Sequence, residues 1–226
     1  MTTWGFADFA GAMSAAMRKR YEEKAYRRHL RRIGHHIWAA AAESLRQLDI
    51  ESHLVVSRSA ELTLAHEQGL TLKQISSSAD QIYPASDVGA AIASGSFQTM
   101  GMIVAPCSIR SLAEIATGAT STLLTRAADV VLKERRRLVL LVRETPLHLG
   151  HLRRMVEVTE MGGIIMPPVP AFYAGPMSME EMVDQTLGRA LDLFGLDAPV
   201  TKRWGETALP LKQAGKQAGK ADGSDA

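Results

Sequence analysis

Between Asp49 and Leu196 the chain alternates short apolar runs with longer stretches whose apolar residues recur at helical spacing. The runs are His53–Ser57, Met102–Pro106, Leu138–Arg143 and Gly163–Pro167. Their β-branched, two-sided apolar character predicts strands of a buried parallel sheet. The intervening stretches Ala60–His66, Ser111–Thr117, Leu123–Arg135 and Leu149–Met161 predict helices, and Met179–Phe194 predicts a last amphipathic one. Strand alternating with helix specifies a doubly wound α/β sheet. Ligands of such sheets sit beyond the carboxyl ends of the strands. That rule singles out Ser57, Cys107 and Ser108, Arg143 and Glu144, and the Pro-rich stretch leading to Tyr173.

The pattern fades at both ends, and charge shows why. Residues 1–38 carry eight Lys/Arg against three Asp/Glu, whereas residues 39–207 carry fifteen against nineteen. The formal charge of +2 therefore conceals a mildly acidic body, which argues against a nucleic-acid footprint there. The sequence divides into an N-terminal segment, 1–44, part of it helical, a single domain over 45–207, and a Lys/Gln/Ala/Gly-rich tail, 208–226, expected to be disordered. The one cysteine, Cys107, permits no intrachain disulfide and suits a reducing compartment. No apolar run reaches the roughly 20 residues that span a bilayer, and no signal-peptide pattern opens the chain. The expectation is a cytoplasmic protein with no membrane span.

Several residues at the predicted strand ends carry chemistry. Ser57 and the turn Ser108-Ile109-Arg110-Ser111 offer hydroxyls and free backbone N–H groups at helix starts, suited to a phosphate but equally to plain N-capping. Arg143 emerges at the mouth of the sheet with Glu144 beside it. The guanidinium suits bidentate phosphate binding and the carboxylate a proton shuttle, while an ion pair on a solvated loop fits the same positions. Lys133 to Arg137 form a basic cluster at a helix end, most of it expected to be solvated, with one member free to reach a ligand. Pro167, Pro168 and Pro170 stiffen a loop to Phe172 and Tyr173 that suits either an aromatic pocket wall or simple packing. His148 and His151 have no third ligand nearby and do not predict a metal site.

Taken together, Ser94-Gly95-Ser96-Phe97-Gln98-Thr99, Ala105-Pro106-Cys107-Ser108, Arg126 to Arg135, Arg143-Glu144-Thr145-Pro146-Leu147, Pro168-Val169-Pro170-Ala171-Phe172-Tyr173 and Arg203-Trp204 resemble the flavin prenyltransferase (UbiX-type) family in order and spacing, over residues 45 to 206. The resemblance implies a three-layer Rossmann-like, flavodoxin-like parallel sheet of flavoprotein type. It also implies transfer of a dimethylallyl group from dimethylallyl phosphate to reduced FMN, without a metal, in a large homo-oligomer, dodecameric in the family. The product would serve UbiD-type decarboxylases. By position, Ser57, Ser108, Ile109, Arg110, Ser111 and Arg143 would bind FMN. Glu67, Lys133, Glu144, Tyr173 and Arg189 would line the prenyl phosphate site, with Glu144 and Lys133 as catalytic groups. A flavin-dependent cysteine decarboxylase of similar fold is the nearest rival, although its Asn-bearing strings are absent. A non-catalytic binding protein using the basic stretch Arg18 to Arg32 is the other.

One region departs from the family. Where the family has an apolar strand running into a Gly-Ala-Ser-Gly turn with a working serine, this chain reads Ala25-Tyr26-Arg27-Arg28-His29-Leu30-Arg31-Arg32-Ile33-Gly34-His35-His36-Ile37-Trp38. Synonymous codons for that segment exist that read, one base further on, as Leu-Ile-Val-Gly-Ile-Ser-Gly-Ala-Ser-Gly-Ile-Ile-Tyr. The recovered serine falls where Ile33 stands, and the family pattern resumes by Leu45 with no net change in length. A pair of compensating frameshifts is the expectation, leaving the chain without the glycines that let backbone approach a flavin phosphate.

Overall fold

The computed structural model describes residues 41–68, 79–172, 175, 178–198, 201 and 203. After a helical stretch over 41–47 come β1 (His53–Val56), α1 (Arg58–Gln68), β2 (Gln81–Pro84), a 3-10 turn at Ala91–Ala93, β3 (Gly101–Cys107), α2 (Ile109–Thr117), α3 (Leu123–Lys133), β4 (Arg137–Val142), α4 (Leu149–Glu160), β5 (Ile164–Ile165) and α5 (Met179–Asp192). The four predicted runs are all strands, although Gly163–Pro167 contributes only two residues to a ladder. The predicted helix at Ser111 begins two residues earlier, because Ser108 caps it by accepting from the Ser111 N–H at 3.2 Å. β2 escaped the sequence reading: Gln81-Ile82-Tyr83-Pro84 is short, ends in proline and is polar at its start.

β4 organises the layers. Its five residues after Arg137 are buried, and their alternation divides them between two cores. Leu138, Leu140 and Val142 pack with Leu112 and Ile115 of α2, Ala128 and Val131 of α3 and Val158 of α4. Val139 and Leu141 face the other way, onto Ala190 of α5, with Leu193 and Phe194 beside it. Helices therefore cover both faces of a parallel sheet, the three-layer α/β arrangement expected. Removing Leu140 to alanine would cost about 2–5 kcal/mol, as for other fully buried leucines.

Among the described residues the strands form two parallel ladders, β1-β2 and β3-β4-β5. The edge of β1 away from β2 and the edge of β3 away from β4 have no strand partner there. Yet α3 packs on β4 and β3 and also reaches β1, so one helix lies over both ladders. The N–H of Leu123, the first residue of α3, donates to Ala85 O at 2.8 Å just past β2, tying the ladders at that end. In the doubly wound order a strand preceding β1 in the chain lies between β1 and β3.

Candidate active site

The carboxyl ends of β3 and β4 are fastened to each other: the Arg143 N–H donates to Cys107 O at 3.3 Å. This bond sets Arg143 next to the Ser108–Ser111 turn. Ser108 Oγ and Ser111 Oγ are 3.1 Å apart, and the first turn of α2 leaves the N–H groups of Ile109 and Arg110 without intrahelical acceptors. Ser57 closes β1 in the same way, its Oγ accepting from the Ala60 N–H at 3.2 Å. Glu144 is exposed and accepts from the Thr145 N–H at 3.1 Å. Both serines are thus N-caps, and capping leaves helix-terminal N–H groups beside the Arg143 main chain at one edge, an arrangement that fits a phosphate-bearing cofactor. Arg110 instead turns its side chain along α2 to Glu114, Nε to Oε1 2.9 Å. The Ser121 hydroxyl at 2.6 Å, and then Arg110, hold the Glu114 carboxyl below the usual carboxylate range. Cys107 is fully buried, and burial pushes its thiol up to about 12, so it stays neutral and is no nucleophile.

The remaining candidates lie elsewhere. Lys133 ends α3 and pairs with Glu134, whose carboxyl it holds below the ordinary value. The two side-chain heads sit over Gly95: a Cβ there would lie 2.1 Å from Glu134 Oε1 and 2.6 Å from Lys133 Nζ. Lys133 is thus at the amino-terminal edge of the sheet, with the length of β4, roughly 20 Å at 3.3 Å per residue, between it and Arg143. Arg189 belongs to the last turn of α5 and bonds Asp192 at 2.7 Å. That turn leads to Phe194, which abuts Gly101 at the start of β3, so Arg189 also lies toward the amino-terminal edge. Phe172 is 74% exposed. The side chain of Glu67, together with Tyr173, lies outside the described residues.

Arg136 was not singled out by the sequence. It clamps the Ser94–Thr99 loop, donating from Nη2 to Gly95 O at 2.7 Å and from Nη1 to Phe97 O at 2.6 Å. Only the 39- and 41-residue separations to those carbonyls, invisible in sequence, distinguish it from its solvated neighbours. A cleft of about 490 Å³ runs past it, lined by Met100, Arg135, Arg137, Gly162, Ile164 and Phe194. It opens at the edge opposite Ser108 and Arg143 and is no part of their site. His148 caps α4, its Nδ1 accepting from the Gly150 N–H at 3.0 Å, and its ring lies 3.5 Å from that of His151. Among the described residues no group of three or more His, Cys, Asp or Glu is placed to hold a metal, and no helix is long and apolar enough to cross a membrane.

A parallel sheet covered on both faces, with capped helix starts and an arginine at its carboxyl edge, is an α/β arrangement compatible with a flavoprotein, and the flavoprotein family model matches residues 38–190. The UbiX flavin prenyltransferase of Neisseria meningitidis serogroup B is 54% identical over 164 residues, 73% of this chain and 87% of the relative. Among solved structures, AnUbiX in complex with FMN and dimethylallyl pyrophosphate is 48% identical with a TM-score of 0.71, over 74% of this chain and 88% of that one. A dodecameric FMN-dependent UbiX-like decarboxylase from Escherichia coli O157:H7 is 43% identical with the same TM-score, over 74% and 90%. The chain belongs to the UbiX family of flavin prenyltransferases.

Proposed function

We propose that this chain is built to transfer a dimethylallyl group from dimethylallyl phosphate to reduced FMN, at a site that more than one copy of the chain completes. The observation that carries the proposal is the Arg143–Cys107 main-chain tie, which sets residue 143 beside the hydroxyls and N–H groups of the Ser108–Ser111 turn. Ser57, Ser108, Ile109, Arg110 through its backbone, Ser111 and Arg143 would hold FMN, which when bound supplies the electron-rich ring that accepts the prenyl group. Glu144, exposed at the same mouth, would hold or deliver a proton there. Lys133 and Arg189, with Tyr173, would bind the donor phosphate and stabilise the charge it gains as its C–O bond to the dimethylallyl group breaks. Because β4 separates Lys133 from Arg143, these cations act by joining the flavin edge of another copy, in keeping with a homo-oligomer. UbiD-type decarboxylases would receive the product, and the cytoplasm would be its place.

The proposal extends to residues 25–38. The edges of β1 and β3 that carry no strand among the described residues leave room in the strand order for one parallel strand that precedes β1, and the second reading frame of that segment would supply such a strand and its glycine turn. The family match begins at residue 38, where the shifted stretch ends. We therefore propose that compensating frameshifts have replaced the family's first-strand and glycine-turn sequence in this chain.

Subunit mixing tests the shared site. In the frame-restored chain, Lys133→Ala and Arg143→Ala should each cut prenylated-flavin formation about 100-fold, the loss of a charge-assisted contact worth roughly 3 kcal/mol at a reacting centre. Co-refolded, the two variants should regain a substantial part of the activity through sites with both residues intact. No recovery on mixing would place both residues in one chain's site and overturn the shared arrangement.

A further inference from the structure

α4 is apolar on two faces. Met155 and Val158 pack inward with α2 and β5. Leu149, Leu152 and Val156, three and four residues apart, share the opposite face and are 60%, 44% and 55% exposed. Surface leucines scattered singly require no explanation, but three on one helical stripe mark an interaction surface. Arg153 and Glu160 stand on that same stripe, seven residues apart, both exposed. Arg154 is paired with Glu157 at 2.5 Å, whereas Arg153 and Glu160 have no hydrogen-bond or ion-pair partner among the described residues.

The arrangement is self-complementary. If two copies of α4 lie antiparallel about a two-fold axis midway between residues 153 and 160, Arg153 of each faces Glu160 of the other. Val156 then meets its counterpart beside the axis, and Leu149 and Leu152 pack along the flanks. A two-fold contact demands this reciprocity, residue i on j and j on i. Opposite charges two turns apart on an apolar stripe supply it without any other partner. We infer that the outer face of α4 is an isologous docking surface for a second copy of this chain, held by an apolar centre and two Arg153–Glu160 ion pairs.

The inference concerns self-association and stands or falls apart from the flavin chemistry. Sedimentation velocity of the full chain, without flavin, should show R153E and E160R each raising the dissociation constant of this contact about tenfold, by losing two ion pairs and creating like-charge contacts. The doubly substituted R153E/E160R chain, in which the pairs re-form with reversed sign, should return to within about threefold of the unmodified chain. Because Cys107 is buried, V156C would carry the one accessible thiol among the described residues, and mild oxidation should convert it to a covalent dimer within disulfide reach of the axis. Single substitutions without effect, a double variant no tighter than the weaker single, or no V156C dimer would each overturn the inference.

Discussion

Arg136 carries more of the local structure than its neighbours in the basic cluster. Two charge-assisted hydrogen bonds to main-chain carbonyls hold the Ser94–Thr99 loop against the start of β4, and Gly95 lets the Lys133–Glu134 pair close over it. Arg136→Ala should lower stability by about 2 kcal/mol in urea unfolding, whereas Arg135→Ala, on an exposed side chain, should change it by less than about 0.5 kcal/mol. Equal effects would show the clamp to be unimportant. Cys107 gives a second residue-level expectation. Its thiol, pushed up to about 12 by burial, should react with a disulfide reagent at pH 8 only on unfolding. Rapid labelling of the native chain would contradict that burial.

Among the elements, β1 and β2 depend on one carboxylate. Asp80 Oδ2 accepts from the Ser52 N–H at 2.7 Å and the Ser52 hydroxyl at 2.6 Å, and these bonds, the hydroxyl first, lower its pKa. A carboxyl depressed in the folded state contributes stability that is fully present above its unfolded value, near 4, and is lost as pH falls through the folded value. Asp80→Asn should therefore destabilise the chain at pH 7 and flatten its acid-unfolding curve below pH 4; an unchanged curve would remove Asp80 from the account. The elements were largely legible in the sequence because buried parallel strands such as Leu138–Val142 are unbroken apolar runs. β2 was not, being short, polar at its start and ended by proline. The placement of Ser57, Ser108 and Arg143 directly after strand ends was legible from those same apolar runs. That Lys133 and Arg189 lie at the other edge could not be read, since sequence order does not say which end of a strand a flanking helix terminus meets.

For the whole molecule, the decisive feature is the split, among the described residues, between the β1-β2 ladder and the β3-β4-β5 ladder. A buried sheet edge must satisfy its N–H and C=O groups, and the proposed second-frame sequence would supply a strand between the two ladders and the glycine turn that follows it. The family model matches residues 38–190, and the proposed loss of prenyl transfer rests on the sequence at 25–38. The direct measurement is mass spectrometry of flavin recovered after anaerobic incubation with reduced FMN and dimethylallyl phosphate, run on this chain and on one carrying the second-frame sequence at 25–38. The account predicts prenylated FMN from the restored chain and none above background from the chain as it stands. Equal product from both would show residues 25–38 to be dispensable, and product from neither would contradict the prenyltransferase reading itself.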